Sequence, residues 1–271
     1  MTNFRITIIT NGNYFARLGL DRLVKEKHNQ INGIVLVTGI KADRSRFRSL
    51  VEILQQTGIQ YFLYKSSTYI VFALARLIFP KRAFFVPDLV KPYNIPIIYA
   101  AQVNDPKVIQ WIKSLQPDLL ISVSCPQRIE ETILDIPLKY SINIHSSLLP
   151  AYAGLAPYFW VLANGEKITG TTVHIMEEKF DTGTILAQRQ VEISGDTTLF
   201  SLFFQTSYEG SYALFEAVSG LEDGTARFTA QDHSKRSYNS WPTVEANRKI
   251  RENGHQLVTW ANFVHAIKSV K

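Results

Sequence analysis

The chain has 271 residues, of which 46% are apolar and 19% are charged, and its formal net charge is +6. A chain of this size and balance can bury a hydrophobic core of its own, so it needs neither disulfides nor a structural metal. Its single cysteine, Cys125, excludes an internal disulfide, and no cluster of cysteine and histidine has zinc-ligand spacing. We therefore expect no metal site.

The first half of the chain alternates strand-like and helix-like segments. Short apolar runs typical of buried strands cover residues 4–10, 33–38, 97–99 and 118–123. Helical patterns cover residues 14–28, 43–56 and 105–115. In the second of these helices we expect four apolar side chains to face inward: Phe47, Leu50, Val51 and Leu54. Residues 57–93 are longer than a normal crossover, and we interpret them as an inserted helical or irregular segment.

The second half has longer strand patterns and one long helix. Strands are predicted over residues 140–145, 171–176 and 185–191, and the turn Asp181-Thr182-Gly183 lies before the last of these. A helix is predicted from an N-cap at Asp196 to about residue 220. After Asp223-Gly224 the chain is predicted to be basic and irregular. We therefore place a main domain at residues 1–222 and a C-terminal extension at residues 223–271.

Alternating strands and helices predict βαβ units. The expected fold class is α/β, with a Rossmann-like, doubly wound, mostly parallel sheet and a short C-terminal extension. In open sheets of this kind, ligands bind beyond the C-terminal ends of the strands, at the point where the strand order reverses. Residues that follow the strands are thus the first candidates for a functional site.

Cysteine usage and hydropathy bear on the compartment. A single cysteine favours a reducing compartment, and the N-terminal apolar run is too short for a secretion signal, so we expect a cytoplasmic protein. The most apolar segment, residues 69–79, contains Arg76 and falls short of the ~20 apolar residues of a bilayer span. We predict a buried or amphipathic helix there and no membrane span. An interfacial membrane helix is the alternative, favoured by Lys81 and Arg82.

The positive charge is concentrated in two regions. Residues 41–92 hold nine Lys and Arg against three Asp and Glu, and residues 227–271 hold eight against three. An excess of positive charge suits an anionic ligand such as a phosphate or a nucleotide, and equally suits plain solubility. No arginine-rich tract, zinc finger or RNA-binding signature is present, so we expect no nucleic-acid partner.

Two polar side chains that could act in catalysis lie at the predicted end of a strand, in the stretch Asn143-Ile-His145-Ser-Ser-Leu-Leu-Pro150. On a strand, Asn143 and His145 are two residues apart, so their side chains point to the same face. One offers an amide donor and the other a group that donates or accepts a proton near neutral pH. Taken alone, such a pair is more often structural than functional.

A carboxylate, Asp181, lies on the turn that precedes the last predicted strand. Together with Asn143 and His145 it would form an acyl-transfer site. The amide and imidazolium would stabilise the oxyanion of a tetrahedral intermediate, and the carboxylate would assist a proton transfer. The alternative is that Asp181 and Gly183 serve only the geometry of the turn.

Several of these motifs, in this order, resemble the formyltransferase family. Residues 143–150 look like the Asn-x-His-x-Ser-Leu-Leu-Pro signature of that family, and residues 154–157 resemble the loop that follows it. The segments 169–174 and 180–183 look like the strand and turn that carry the family's aspartate. Residues 117–123 resemble the strand ahead of the folate site. The resemblance is strong over residues 95–220 and loose over residues 1–94.

The resemblance implies an enzyme that transfers a formyl group from 10-formyltetrahydrofolate to a primary amine without a metal ion. It implies that Asn143 and His145 stabilise the oxyanion and that Asp181 assists proton transfer. It also implies a pterin slot between two backbone segments, whose expected contact residues are Ser124, Cys125, Pro126, Gln127, Glu178 and Phe180. His174 is expected to make a structural hydrogen bond rather than to act in catalysis.

The resemblance leaves the acceptor amine open. The loop after the first strand, residues 10–15, has one glycine, unlike the glycine-rich phosphate loop of the enzymes that act on glycinamide ribonucleotide. The residues after 222 are too few for the β-barrel of the methionyl-tRNA enzymes. We therefore expect a small, anionic amine acceptor, an amino sugar on a nucleotide, with glycinamide ribonucleotide or another small amine as the alternative. A formyltetrahydrofolate hydrolase and a homodimer also remain open.

Overall fold

The computed structural model describes residues 4–40 and 45–270. The strands among these residues are β1 (Ile6–Thr10), β2 (Ile31–Val37), β3 (Ile97–Ala100), β4 (Leu119–Val123), β5 (Tyr140–His145), β6 (Ala153–Gly154), β7 (Ile168–Ile175), β8 (Ile185–Glu192) and β9 (Tyr238–Asn239). The α-helices are α1 (Tyr14–Lys27), α2 (Arg46–Ile78), α3 (Val86–Val90), α4 (Pro106–Leu115), α5 (Glu131–Leu134), α6 (Pro157–Ala163), α7 (Leu199–Asp223), α8 (Val244–Glu252) and α9 (Trp260–Ser269).

Seven of the strands form one sheet in the order β3-β2-β1-β4-β5-β7-β8. The first five are parallel, whereas β7 pairs antiparallel with both β5 and β8. The strand order reverses between β1 and β4, which lie side by side although two strands and four α-helices separate them in the chain. This sheet confirms the predicted α/β, doubly wound fold, and it places the C-terminal ends of β1, β4 and β5 along one edge.

Successive side chains of a strand point to opposite faces of the sheet, so a hydrophobic core forms on each face. In β1, Ile8 packs with side chains of α1, α3 and α7 on one face, whereas Ile9 packs with α4 and α5 on the other. Every residue of β1 and β4 is buried. Continuous apolar strands such as these require cover on both faces. The helices provide that cover, so the strand ends that carry the site are held by a rigid sheet.

Helix α2 differs from its prediction in the side chains that it buries. Phe47, Leu50 and Val51 are exposed and Leu54 is only half-buried, so their predicted inward orientation is wrong. The buried face of this part of the helix instead carries Ser49, Ile53 and Thr57. Both faces of the segment contain apolar residues, and helical periodicity alone does not show which of them meets the core.

The predicted inserted segment, residues 57–93, begins at a kink in α2. Gly58 has a φ of +78° inside the helix, a conformation that favours glycine. Beyond it, Tyr61, Tyr64 and Phe72 are buried in an aromatic cluster. In that cluster the ring of Phe72 stacks on that of Tyr14 with centroids 3.8 Å apart. The segment therefore contributes a second core beside the sheet.

The C-terminal residues pack back onto this second core. The prediction of an irregular course after residue 223 is wrong for α8 and α9, which are regular helices. In α8, Asn247 donates a hydrogen bond to the backbone of Thr57 at 2.6 Å. The hydroxyl of Tyr14 donates to the backbone of Ala266 in α9 at 3.1 Å. The prediction missed these helices because their apolar faces are short.

The start of α7 also differs from its prediction. The N-cap is Thr198 rather than Asp196, and its hydroxyl accepts a hydrogen bond from the backbone N–H of Ser201 at 3.0 Å. Asp196 instead accepts a hydrogen bond from the hydroxyl of Ser194. Both residue types are good caps, and the register of the helix decides between them.

No helix in the described ranges is long and apolar enough to cross a membrane.

Candidate active site

Asn143 and His145 lie at the C-terminal end of β5, as predicted. In the antiparallel pair of β5 and β7, Asn143 is directly opposite His174. The Nδ2 atom of Asn143 lies 3.3 Å from Nε2 of His174. Side chains of directly opposed residues lie on the same face of a sheet, so this contact is a consequence of the strand register.

Asp181 reaches these residues from the loop between β7 and β8. Its φ of +55° places it in the left-handed region, which asparagine and aspartate tolerate better than most residues. The carboxylate lies 3.4 Å from Nε2 of His174 and 3.7 Å from Nδ1 of His145. It also accepts a hydrogen bond from the backbone N–H of Gly154 at 2.8 Å. The structure thus brings all three predicted catalytic residues together, with His174 as a fourth member.

The surroundings of Asp181 keep it ionised. Burial by itself would raise the pKa of this carboxyl. The charge of His145, the hydrogen bond and charge of His174, and the N–H of Gly154 oppose that effect and hold the pKa well below its usual range. The site therefore contains a fixed carboxylate at neutral pH, next to two imidazole rings that can each carry a proton.

Backbone oxygens orient both imidazole rings. His145 donates from Nε2 to the carbonyl of Tyr152 at 2.8 Å, which leaves its Nδ1 facing Asp181. His174 donates from Nδ1 to the carbonyl of Ile175 at 2.8 Å, which leaves its Nε2 facing Asn143 and Asp181. Since a carbonyl only accepts, each ring has one defined donor nitrogen, and the other nitrogen of each ring faces the carboxylate of Asp181.

The free energy that Asp181 contributes to folding should depend on pH in one direction. Because the folded-state pKa of this carboxyl is depressed, its contribution is present above the unfolded-state pKa of about 4 and is lost as pH falls below it. We expect Asp181→Asn to be less stable than the wild type by roughly 1–3 kcal/mol at about pH 7, with a difference that shrinks below about pH 4. Urea unfolding of both proteins over this range measures the difference, and a difference independent of pH would contradict the prediction.

The C-terminal extension builds one wall of the site. Strand β9 pairs with β6, so that the N–H groups of Ala153 and Leu155 donate to the carbonyls of Ser237 and Asn239 at 2.9 and 2.8 Å. The residue between them, Gly154, has a φ of +98°, and a Cβ added to it would overlap the carbonyl oxygen of Asn239. Only glycine fits this close approach. The backbone N–H of the same residue donates the hydrogen bond that the Asp181 carboxylate accepts.

Gln231 holds the turn that carries Asp181. Its buried side-chain amide donates to the carbonyl of Asp181 at 3.2 Å and to that of Gly183 at 2.6 Å. The two bonds fix the backbone on either side of Thr182. Gln231 therefore acts as a positioning residue for the carboxylate, through the backbone rather than through its side chain.

Replacing Gln231 with leucine should leave two buried carbonyls without donors. We expect the free energy of unfolding to fall by about 1–3 kcal/mol. We also expect turnover to fall by roughly tenfold, because a carboxylate that is less well positioned loses part of its catalytic effect. Gln190→Leu, on the exposed side of β8, is the matched control. Unfolding and turnover measurements in which both variants behave alike would rule out the positioning role.

The predicted folate residues lie on two loops that contact each other. Arg128 donates to the carbonyl of Glu178 at 3.2 Å, and its guanidinium lies 5.7 Å from the centre of the Phe180 ring. A cavity of about 810 Å³ opens beside this contact, and Glu178 and Phe180 are among its lining residues. Most of the other lining side chains are basic or aromatic, namely Arg128, Lys179, His233, Arg236 and Tyr238, and Glu177 and Thr182 complete the lining. The cavity meets the site at Phe180 and Thr182, on either side of Asp181.

The other predicted folate residues, Ser124 to Gln127, are not among the lining residues of this cavity. Ser124 adopts a left-handed φ of +54° directly after β4. The side-chain amide of Gln127 is held by the backbone of Ala101 and Val103, at 2.7 and 2.8 Å. Cys125 is half-buried, and burial raises the pKa of its thiol to about 12. It therefore carries no thiolate at neutral pH.

Sequence reasoning did not foresee the contacts of three contributors to the site. His174, predicted to make a structural hydrogen bond, donates one to the carbonyl of Ile175 and also contacts both Asn143 and Asp181. Gly154 was part of a motif, but its bond to Asp181 was not foreseen, and nothing in the local pattern indicated Gln231. No group of three or more His, Cys, Asp and Glu side chains in residues 4–40 and 45–270 could hold a metal ion.

An α/β sheet with an Asn, two His and an Asp at the ends of its strands defines a class of site suited to acyl transfer. The family model described as formyl transferase matches residues 4–218. The chain belongs to the formyl transferase family, as the sequence motifs predicted.

The chain is similar in sequence to curated methionyl-tRNA formyltransferases. It is 34% identical over 181 residues to the methionyl-tRNA formyltransferase of Ruminiclostridium cellulolyticum, a match that covers 65% of this chain and 58% of that protein. The chain thus spans little more than half the length of the curated relatives that it matches.

Two solved structures share the fold. One is the N-formyltransferase of Helicobacter canadensis, solved in complex with folinic acid and dTDP-3-aminofucose. It has a TM-score of 0.53 and 18% identity, covering 88% of this chain and 71% of that chain. The other is the phosphoribosylglycinamide formyltransferase of Bacillus halodurans, with a TM-score of 0.57 and 19% identity, covering 80% of this chain and 94% of that chain.

Proposed function

We propose that this protein transfers the formyl group of 10-formyltetrahydrofolate to a primary amine. The observation that carries the proposal is the cluster in which the Asp181 carboxylate lies 3.7 Å from His145 and 3.4 Å from His174, next to Asn143. Nothing in the packing of the sheet requires these polar groups to meet at one strand end. Family membership supports the same reaction.

The reaction begins when the nitrogen of the amine attacks the formyl carbon, whose carbonyl oxygen becomes an oxyanion. Asn143, half-buried and with a second N–H free of the contact with His174, donates to that oxygen. His145, as an imidazolium paired with Asp181, stabilises the negative charge through its own charge. Preorganised donors of this kind act in a water-poor site, where they stabilise an oxyanion more strongly than they would in bulk water.

The second half of the reaction moves a proton and breaks a bond. The attacking nitrogen must lose one proton, which Asp181 accepts, directly or through a water molecule, and passes to the folate nitrogen. The intermediate then collapses, the bond between the formyl carbon and the folate nitrogen breaks, and tetrahydrofolate and a formamide leave. A carboxylate whose pKa is depressed is a weak base, so in this proposal Asp181 passes the proton on rather than retaining it.

The folate is expected to occupy the space between the loops that Arg128 bridges. A reduced folate has a flat ring system at one end and carboxylates at the other. The cavity offers aromatic surface from Phe180 and Tyr238, and cationic groups from Arg128, Lys179 and Arg236. This combination of side chains fits both ends of the molecule.

For the acceptor, we propose an amino sugar carried on a nucleotide. The excess of basic residues favours an anionic acceptor, and a relative with the same fold was solved with such a compound. Methionyl-tRNA is the second candidate, because the curated relative with 34% identity is named for that substrate. Glycinamide ribonucleotide, the expected alternative, remains a third acceptor to test.

The deciding experiment follows tetrahydrofolate formation by absorbance with 10-formyltetrahydrofolate as donor. The acceptors are amino-sugar nucleotides, methionyl-tRNA, glycinamide ribonucleotide and buffer alone. Turnover that depends on an amino-sugar nucleotide supports the proposal. Turnover with methionyl-tRNA alone would show that the proposed reaction is right and the proposed acceptor is wrong. Equal turnover in buffer without an amine would identify a hydrolase. Absence of turnover and of formyl transfer with every acceptor would overturn the proposed activity.

A further inference from the structure

Helix α2 presents an apolar face to the outside beyond its kink at Gly58. The inner face of this part of the helix packs Tyr61, Tyr64 and Phe72 into the aromatic cluster. The outer face carries six large aliphatic side chains that are more than half exposed: Ile59, Leu63, Ile70, Leu74, Leu77 and Ile78. We call these six residues the α2 stripe. Leu77, at 76% exposed, is the most accessible of them.

The α2 stripe follows one side of the helix, with Ser66 and Ser67 between Leu63 and Ile70. Leu63, Ile70 and Leu77 are seven residues apart, and Leu74 lies one turn from both Ile70 and Leu77. Residues at these spacings lie above one another on a helix. Single exposed leucines are common on protein surfaces, whereas a contiguous apolar stripe marks a surface that contacts another molecule or a membrane.

Basic side chains outnumber acidic ones around the α2 stripe. Between Glu52 and Asp88 the sequence has no acidic residue and four basic ones. The far end of the stripe, at Leu77, borders a surface cavity of about 530 Å³ lined by six basic side chains and one acidic side chain. That acidic side chain, Asp88, is already paired with Arg76 at 2.6 Å. Lys81, Arg82 and Lys91 are three of these six basic side chains.

We propose that the α2 stripe docks on an anionic lipid membrane, with α2 lying in the plane of the interface. A helix with an apolar face and basic flanks binds such a surface through buried apolar area and attraction to anionic headgroups. A second copy of the chain fits less well, because a symmetric contact would bring the same basic groups of the two copies together. The inference is independent of the proposed reaction.

The test is co-sedimentation of the full chain with lipid vesicles. One set is made of phosphatidylcholine alone and the other contains phosphatidylglycerol as well. We expect the protein to pellet with the anionic vesicles, to pellet little with the neutral ones, and to be released as salt is raised. Pelleting that is equal with both sets, or absent with both, would overturn the proposal.

Two variants of matched chemistry separate the α2 stripe from surface apolarity in general. Leu77→Glu places a charge in the stripe, and Leu138→Glu makes the same change at another site where leucine is 72% exposed. We expect Leu77→Glu to lower the partition coefficient for anionic vesicles by about tenfold or more, because one leucine side chain no longer enters the apolar phase. Leu138→Glu should bind like the wild type. Equal losses in both variants would contradict the assignment to α2.

Two further measurements complete the test. Lys81→Glu leaves the α2 stripe intact and should also weaken binding to anionic vesicles, because it removes a headgroup contact. Sedimentation velocity without lipid should show the same mass for wild type and Leu77→Glu. A wild-type dimer that Leu77→Glu dissociates would assign the stripe to a second copy of the chain and overturn the membrane proposal.

Discussion

Asp181→Asn is expected to lower turnover by about 10³-fold or more while the protein still folds and binds folate. The change is nearly isosteric. Asparagine tolerates the left-handed φ of +55° at this position, and its side-chain oxygen can still accept from the N–H of Gly154. What is lost is the negative charge between His145 and His174, and with it the group proposed to accept the proton of the amine.

Two measurements are needed for this variant, turnover by the absorbance assay and affinity for 5-formyltetrahydrofolate by calorimetry. Affinity within a few-fold of the wild type, with turnover greatly reduced, assigns Asp181 to the chemical step. Asp196→Asn is the matched control, since Asp196 is an exposed aspartate that accepts a hydrogen bond from Ser194. Turnover of Asp181→Asn close to that of Asp196→Asn would remove Asp181 from the mechanism.

His145→Gln is expected to lower turnover by roughly 100-fold. Glutamine has an N–H that can replace the donor to the carbonyl of Tyr152, so the loop after β5 should keep its position. It cannot carry the positive charge that we propose stabilises the oxyanion next to Asp181. The effect therefore tests the charge of the imidazolium separately from the hydrogen bond that orients the ring.

The control for this variant is His28→Gln, a histidine that stacks on the ring of Tyr93 away from the site. It should keep turnover within a few-fold of the wild type. The double variant Asp181→Asn with His145→Gln should be little slower than Asp181→Asn alone, because two residues that act as a unit are not additive. Fully multiplicative losses would show that the two side chains act independently.

Local sequence patterns were enough to predict the parts of the site that depend on a strand or a turn. A period of two places Asn143 and His145 on one face, and β5 ends at His145 as predicted. Buried apolar runs predicted β1 and β4, and alternation with helices predicted the parallel sheet. The order of the motifs predicted the formyl transferase family. The strands are local features that a short window of residues specifies, whereas the family was predicted from the order of several motifs over residues 95–220.

Helical periodicity was a weaker guide to packing. In α2 the residues predicted to face inward, including Phe47 and Val51, are exposed, whereas Ile53 is buried. A helix that is apolar on two sides does not specify which side meets the core. That choice depends on what packs against it, here the aromatic cluster and α8, which lie far away in the chain.

The sequence by itself determined the fold class, the family and the candidate residues Asn143, His145 and Asp181. Only the tertiary structure decided which groups surround them. His174 reaches Asn143 because of the register between β5 and β7, and Gln231 reaches the turn of Asp181 from 50 residues away. Gly154 reaches Asp181 through a loop that pairs with β9. Such contacts depend on how segments that are far apart in the chain pair and pack together. That arrangement is set by the packing of the whole chain rather than by any local pattern.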